Sequence, residues 1–317
     1  MKKKVKIFGK GIPVFAIVLV AILGIASATL ISYFGIITGN VGVDQGLFLD
    51  DKAWNDDSIT YNANLTSLEE KTISSGNHFL KNTADVAAEV KLDTICTKAG
   101  PGDCSEPTTI PVFELSITGV TGLPGQGIGI TDQDRVTANG GTLTLGDISN
   151  LSFDYNLTTT TNGLSPYFVL ALDTNNDEVA DKYAVSMQGN GVGGNIWLNH
   201  GSSLLFHIPG DATCTQASPC DLGIVKTQIG NSAKLLQVKV MIGYWGDAHP
   251  TTALVKNINV NSADIVKNNG LFVRQKDSTD PNDMTWGDNI VDFSIETHFP
   301  KMMMPGTYTI TTKVVPA

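Results

Sequence analysis

The sequence predicts an all-β protein: a β-sandwich into which a second β-sandwich module is inserted, preceded by a hydrophobic N-terminal signal or anchor segment. Three observations carry this. Apolar residues recur with period two in several short runs. Asn-Gly and Gly-rich pairs punctuate those runs as turns. No long apolar stripe of helical period follows residue 40. Many short strands joined by such turns pack most simply as facing sheets.

The chain opens with a basic cap, Met1 to Lys10, and then carries no charged side chain from Gly11 to Val43. A basic start, an apolar core from Pro13 to Gly24 and the small-x-small site Ala26-Ser27-Ala28 read as an export signal ending at residue 28. Two other readings stay open. Ile12 to Ile37 is long enough to remain as a membrane anchor. Lys10-Gly11-Ile12 ahead of an apolar run is similar to an archaeal prepilin site, with processing after Gly11 and a pilin-like helix behind it. Cleavage after Ala28 leaves an apolar terminus, Thr29 to Gly39, that needs a covering partner in water.

Strands are expected where alternation is cleanest. Ala88, Val90 and Leu92 face one way and Glu89, Lys91 and Asp93 the other. Further runs are Leu151/Phe153/Tyr155/Leu157, Leu236/Val238/Val240/Ile242, Val291/Phe293/Ile295/Phe299 and Tyr308/Ile310/Thr312/Val314. Asn139-Gly140, Asn162-Gly163, Gly189-Asn190-Gly191 and Asn269-Gly270 mark turns. A single helical turn fits Leu65 to Lys71. Composition shifts twice. Residues 46–107 and 263–317 share polar strands and Asp-rich turns, whereas 108–262 is richer in Gly, Leu and Thr. The expected order is therefore a signal or anchor (1–28), a leading strand (29–45), an outer sandwich (46–107 with 263–317) and an inserted module (108–262). One elongated sandwich is the alternative.

The chain is 42% hydrophobic and 16% charged, enough for a sizeable core. Loss of residues 1–28 removes five lysines and no acids, so the formal charge moves from −10 to −15. Such an acidic surface argues against nucleic-acid or anionic-lipid partners, leaving membrane contact to the N-terminal segment. In an exported chain the four cysteines are expected as two local disulfides, Cys96–Cys104 and Cys214–Cys220. Zinc is the rival, but neither pair has CxxC spacing. Asn64, Asn150 and Asn156 head Asn-x-Ser/Thr sequons and are glycosylation candidates.

Asp173-Thr-Asn175-Asn-Asp177-Glu-Val179-Ala-Asp181 places oxygen ligands at positions one, three, five, seven and nine of a calcium loop, the seventh through the Val179 carbonyl. Glu178 stands where the turn glycine belongs and Ala184 where the bidentate Glu belongs. Both departures argue against an EF-hand. A structural Ca²⁺ in a hairpin is one reading, and an acidic turn without metal is the other. Trp197 and Trp245, with Tyr167 and Tyr244, are candidates for stacking on a polysaccharide, against the alternative of core packing. The histidines (78, 200, 207, 249 and 298) form no HExxH or other metal spacing, and no nucleophile motif or phosphate loop is present. The expectation is a protein that is not an enzyme.

Gly76-Asn-His-Phe-Leu-Lys-Asn82 followed by Ala87-Ala-Glu-Val-Lys-Leu-Asp93 resembles a stretch of the TasA/camelysin-like secreted proteins, in an archaeal surface-protein variety. Pro305-Gly-Thr-Tyr-Thr-Ile-Thr-Thr-Lys313 is similar to their last strand. The resemblance covers about a third of the chain. It implies a jelly-roll-like sandwich that polymerises into extracellular filaments or a biofilm matrix by donor-strand complementation. Metalloprotease activity is described for camelysin-type proteins, but no zincin motif is present to carry it. The donor here would be residues 29–45, with Leu30, Ile31, Tyr33, Phe34, Ile36 and Ile37 as its apolar contacts. Burying such a tail is worth roughly 10 kcal/mol, offset in large part by ordering and docking. Head-to-tail joints of this kind build chains rather than closed dimers. A tethered carbohydrate-binding or adhesion module, or a type IV pilin-like subunit, are the alternatives.

Overall fold

The structure, a computed structural model, describes residues 4–7, 10–13, 46–55, 57–66, 68–117, 134–159, 165–188, 196–201, 203–243, 251–274, 289–301 and 303–317. It divides into two units, Met1–Gln45 and Gly46–Ala317. In the first, β1 (Lys4–Ile7) and β2 (Lys10–Pro13) pair antiparallel. The candidate export core, the site at Ala26–Ala28 and the candidate donor strand with Leu30, Ile31, Tyr33, Phe34, Ile36 and Ile37 lie outside the described residues. Among the described residues no helix is long and apolar enough to cross a membrane.

Residues 46–317 are an all-β sandwich of two large antiparallel sheets. The first sheet runs β16 (Cys220–Asp221), β15 (Leu205–His207), β13 (Lys182–Ser186), β12 (Tyr167–Asp173), β17 (Lys234–Ile242), β10 (Asp134–Asn139), β20 (Leu271–Val273), β8 (Ala88–Lys98), β22 (Gly306–Pro316) and β5 (Ile59–Leu65). The second runs β14 (Leu198–His200), β11 (Leu151–Thr159), β18 (Thr251–Val260), β9 (Thr108–Ile117), β21 (Ile290–Phe299), β7 (His78–Asn82), β3 (Leu47–Leu49) and β4 (Lys52–Ala53). β19 (Ala263–Asp264) adds to β18, and β6 (Lys71–Ser74) to β21.

Both sheets sort their strands by position in the sequence. In the first, β16 to β10 come from residues 108–262 and β20 to β5 from the outer segments; in the second the change falls between β9 and β21. The compositional seam is thus one line across both sheets. Pairing crosses that line unevenly. β9 and β21 pair continuously from Glu114–Asp292 to Thr108–His298. β10 and β20 meet at one position, Ala138 opposite Leu271. A single apolar core crosses it as well, with Phe153 and Phe168 on one side and Leu80 and Ile295 on the other.

The strongest alternations build the core. Leu151, Phe153, Tyr155 and Leu157 are buried on β11, and Val291, Phe293, Ile295 and Phe299 on β21. Tyr308, Ile310, Thr312 and Val314 do the same on β22. One expected register differs. Leu172 pairs with Leu235 and Ala171 with Gln237, so β17 bulges at Leu236. The bulge turns Leu235 into the core and leaves Leu236 half-buried. The helical turn expected at Leu65 to Lys71 is also corrected: Leu65 ends β5 and Lys71 opens β6. The helices lie elsewhere, α1 at Leu222–Ile229 and α2 at Ile265–Asn269. Each is capped by an aspartate, Asp221 accepting from the Ile224 N–H and Asp264 from the Lys267 N–H.

Two histidines sit in poor surroundings for a charge. His200 packs on Phe153, with ring centroids 5.0 Å apart, and His207 is 8% exposed. Burial pushes both imidazoles below their ordinary range. The unfolded chain takes up protons from about pH 6.5 downward, while the folded chain resists. Their contribution to stability is therefore lost as pH falls below about 6.5 toward the folded values. Asp264, held above its ordinary range by burial, acts in the opposite sense. The expected result is a urea midpoint that falls between pH 7 and pH 5, with a shallower slope in His200→Asn/His207→Asn.

Candidate assembly site

Strand acceptance needs an unpaired strand edge beside unfilled apolar space. β8 has such an edge. β20 covers it only at Ala88, Glu89 and Val90, whereas β22 lines its other side along most of its length. Among the described residues no strand pairs with 91–98 on the β20 side. The direction of its backbone groups follows from two bonds. The Ala99 N–H donates to Thr307 O, and the Ala317 N–H donates to Glu89 O. Odd-numbered residues therefore face β22, and Leu92, Thr94, Cys96 and Lys98 turn their N–H and C=O toward the open side.

β9 supplies the facing wall in the second sheet. β18 pairs with it only from Phe113 to Ile117. Beyond that, β18 turns away at Asn257, which has a left-handed backbone (φ 53°) and whose Nδ2 donates to Asp154 Oδ2 at 2.7 Å. Among the described residues, Thr108 to Val112 pair with β21 on one side alone. Ile295, opposite Pro111, spends its N–H on Ser75 Oγ and its C=O on the Ser75 N–H, both away from β9. Pro111 therefore points its ring nitrogen into the open side, where strand prolines are tolerated.

Between these walls lies a cleft of about 330 Å³. Leu92, Ile110, Pro111, Val266 and Ile295 supply its apolar lining, and Lys91, Asp93, Asp264 and Lys267 its charged rim. Inward-facing Leu92, Thr94 and Cys96 are only half-buried, in contrast to the filled core elsewhere. α2 closes one end, presenting Val266 and its capping Asp264.

Other sheet ends compare poorly. β4 and β16 are two residues long and β14 three. β5 is a seven-residue edge, but its inward Ala63 and Leu65 are already packed with Phe299, Tyr308 and Ile310. Lys71 Nζ also takes the Asn64 carbonyl at 3.0 Å.

The cleft was not read from the sequence. Its one local signal is Pro111 inside a strand-like run.

The disulfides form as expected, Cys96–Cys104 and Cys214–Cys220. One ties the open β8 edge to the loop before β9, and the other pins the approach to α1. Bridges of this kind fit a chain matured in an oxidising compartment.

In the calcium-like loop, Asp173 is buried and works as a hub for N–H donors. Its carboxylate accepts from Asn175 (3.1 Å), Asn176 (2.6 Å) and Glu178 (2.9 Å). Burial raises its affinity for a proton, and these bonds outweigh that, leaving its carboxyl below the ordinary range. Asp181 accepts from the Thr174 N–H and Oγ1, and Asp177 from the Val179 N–H. Among the described residues no group of three or more His, Cys, Asp or Glu is arranged to hold a metal ion.

Asn64 and Asn150 are exposed, whereas Asn156 is 8% exposed on β11. Trp197 lies half-buried under Lys256, whose Nζ is 3.9 Å from the ring centroid and also binds Glu296 at 2.7 Å. Tyr167 is buried, its hydroxyl donating to Gly243 O. Trp245 and Tyr244 lie outside the described residues.

The fold and cleft define the class of the chain as a large two-sheet β-sandwich with an open flank. No family model, no curated protein and no solved structure matches it.

Proposed function

We propose that this chain is an exported structural subunit of a cell surface, not an enzyme, that polymerises by giving its N-terminal strand to the next subunit. The observation that carries the reading is the cleft between β8 and β9, where two strand edges and an apolar trough lie open together. An apolar, uncharged tail and an open trough in one chain complement each other head to tail, which propagates a filament. The two disulfides and the export-like N-terminus support an extracellular location. In the finer fold reading, the outer sandwich is jelly-roll-like and of TasA/camelysin type, and residues 108–262 are an insertion. The sorting of strands on either side of one line supports that insertion.

Deleting residues 30–37 from the processed protein is expected to leave a folded, soluble subunit with no fibres by electron microscopy. Fibres of normal yield from that variant would end the proposal.

Calcium belongs to the proposal as a stiffener of the 173–181 loop. Binding would exchange N–H donors around Asp173 for an ion, at a cost the ion must exceed. A saturable rise in Tm on titrating CaCl₂ into EDTA-treated protein, abolished in Asp177→Asn/Asp181→Asn, is the expected result. An unchanged Tm removes calcium from the reading.

A further inference from the structure

Resting on strand donation as the mode of assembly, we infer that the donated strand is residues 30–37 of a second copy and that it pairs with the β8 wall of the cleft, not with β9. The two walls differ in what they offer a strand. Leu92, Thr94, Cys96 and Lys98 each present an N–H and a C=O to the open side. On β9 the residues facing that side are Thr109 and Pro111, and Pro111 has no N–H. A strand laid on β9 would leave one of its own carbonyls without a donor in a covered trough, a costly arrangement. Pro111 therefore acts as a guard on that edge.

Length and polarity agree with this choice. The free run of β8, residues 91–98, matches the eight residues from Leu30 to Ile37. A strand on β8 continues the row begun by β20. It sends alternate side chains onto Leu92, Val266 and Ile295, and the others outward beside Ile95. Ile95 is 53% exposed, an apolar residue on the outer face that a neighbouring strand would cover. All eight donor residues are uncharged, so none has to be buried as an ion against that floor.

Strand donation, on which this inference rests, makes the donor a second copy. Gly46 lines a pocket together with Ala88, Glu89 and Val90 at the start of β8, so residues 30–37 of the same chain are the competing occupant, and exchange in the dilute monomer separates the two.

Thr94→Pro tests the wall. It removes an N–H that faces the cleft and leaves β22's partners in place; Thr94→Val, which keeps the N–H and loses only the hydroxyl bond to Thr312, is the control. Thr94→Pro is expected to cut the polymerised fraction roughly tenfold relative to Thr94→Val, and Pro111→Val to leave it unchanged. Equal polymerisation of the two Thr94 variants overturns the β8 assignment, as does a large gain in Pro111→Val.

Hydrogen exchange on the unaltered chain gives a second readout if Thr94→Pro fails to fold. The amides of Leu92, Thr94 and Cys96 should gain protection in fibres over the 30–37 deletion variant, while Thr109 should not. Protection already present in dilute monomer would place the strand in its own cleft and overturn the second-copy assignment. Fibres that survive the 30–37 deletion would instead sink strand donation itself, whatever Thr94→Pro does.

Discussion

Asn82→Ala is expected to lower the free energy of unfolding by about 2–4 kcal/mol. Asn82 ends β7 and is 1% exposed. Its Nδ2 donates to Val86 O at 2.8 Å and to Val273 O at 3.1 Å, and its Oδ1 accepts from the Ala84 N–H at 2.9 Å. Val273 belongs to β20 in the first sheet, and β7 to the second. One side-chain amide therefore fastens the two sheets together and folds the 83–87 loop over the joint. Truncation leaves three backbone groups without that partner, and their desolvation dominates the loss. Asn82→Asp should cost at least as much at neutral pH, because a carboxylate then faces the two carbonyls in place of a donor. Urea denaturation checks both. A lower midpoint at constant m is the expected pattern, and a change below about 0.5 kcal/mol would show that water satisfies the exposed groups equally well.

Asn82 also shows what a sequence can and cannot reveal. The Lys81-Asn82 pair is visible as part of a motif, yet its task depends on Val273, far along the chain. Strands were legible where one face is buried and the other wet, as on β21 and β22. Period two fails on β12, where every residue from Tyr167 to Asp173 is buried because both faces are covered. The bulge at Leu236 is invisible for a related reason: a single extra residue changes which leucine points inward, and only the partner strand fixes it. α1 is two turns long with Val225 as its one buried residue, too little for a helical stripe. The cleft is harder still. It exists because β18 turns away from β9 at Asn257 and because β20 stops short along β8, and both facts are properties of strand pairing. Pro111 alone marks it locally, and a proline in a strand reads first as a break. Each half of the sandwich draws its strands from its own stretch of chain, residues 108–262 or the segments on either side. The joining of the halves through the pairing of β9 with β21 was not legible, because it depends on contacts between distant parts of the chain.

Phe153→Ala should cost about 3–5 kcal/mol, the range for emptying a buried aromatic site. Phe153 is fully buried on β11, with Phe168 at 4.8 Å edge-on and His200 at 5.0 Å. It lies in the half of the sandwich built from residues 108–262, so its effect also measures how the halves are coupled. A core that crosses the seam, with β9 and β21 paired along it, transmits the loss to the whole sandwich. Amides of β22 and β8, in the outer half, should then lose the same protection against hydrogen exchange as those of β11. If the single contact of β10 with β20 governs instead, the half built from residues 108–262 opens alone and the β22 amides keep their protection. The variant carries a second signature. Removing the ring admits water beside His200, whose imidazole is depressed by burial. Its pKa should rise toward the ordinary value, so the loss of stability between pH 7 and pH 5 should flatten. An unchanged pH slope would mean the neighbours collapse into the space and keep the imidazole dry. The cost would then fall toward the low end of the range, because a site that closes retains part of its packing.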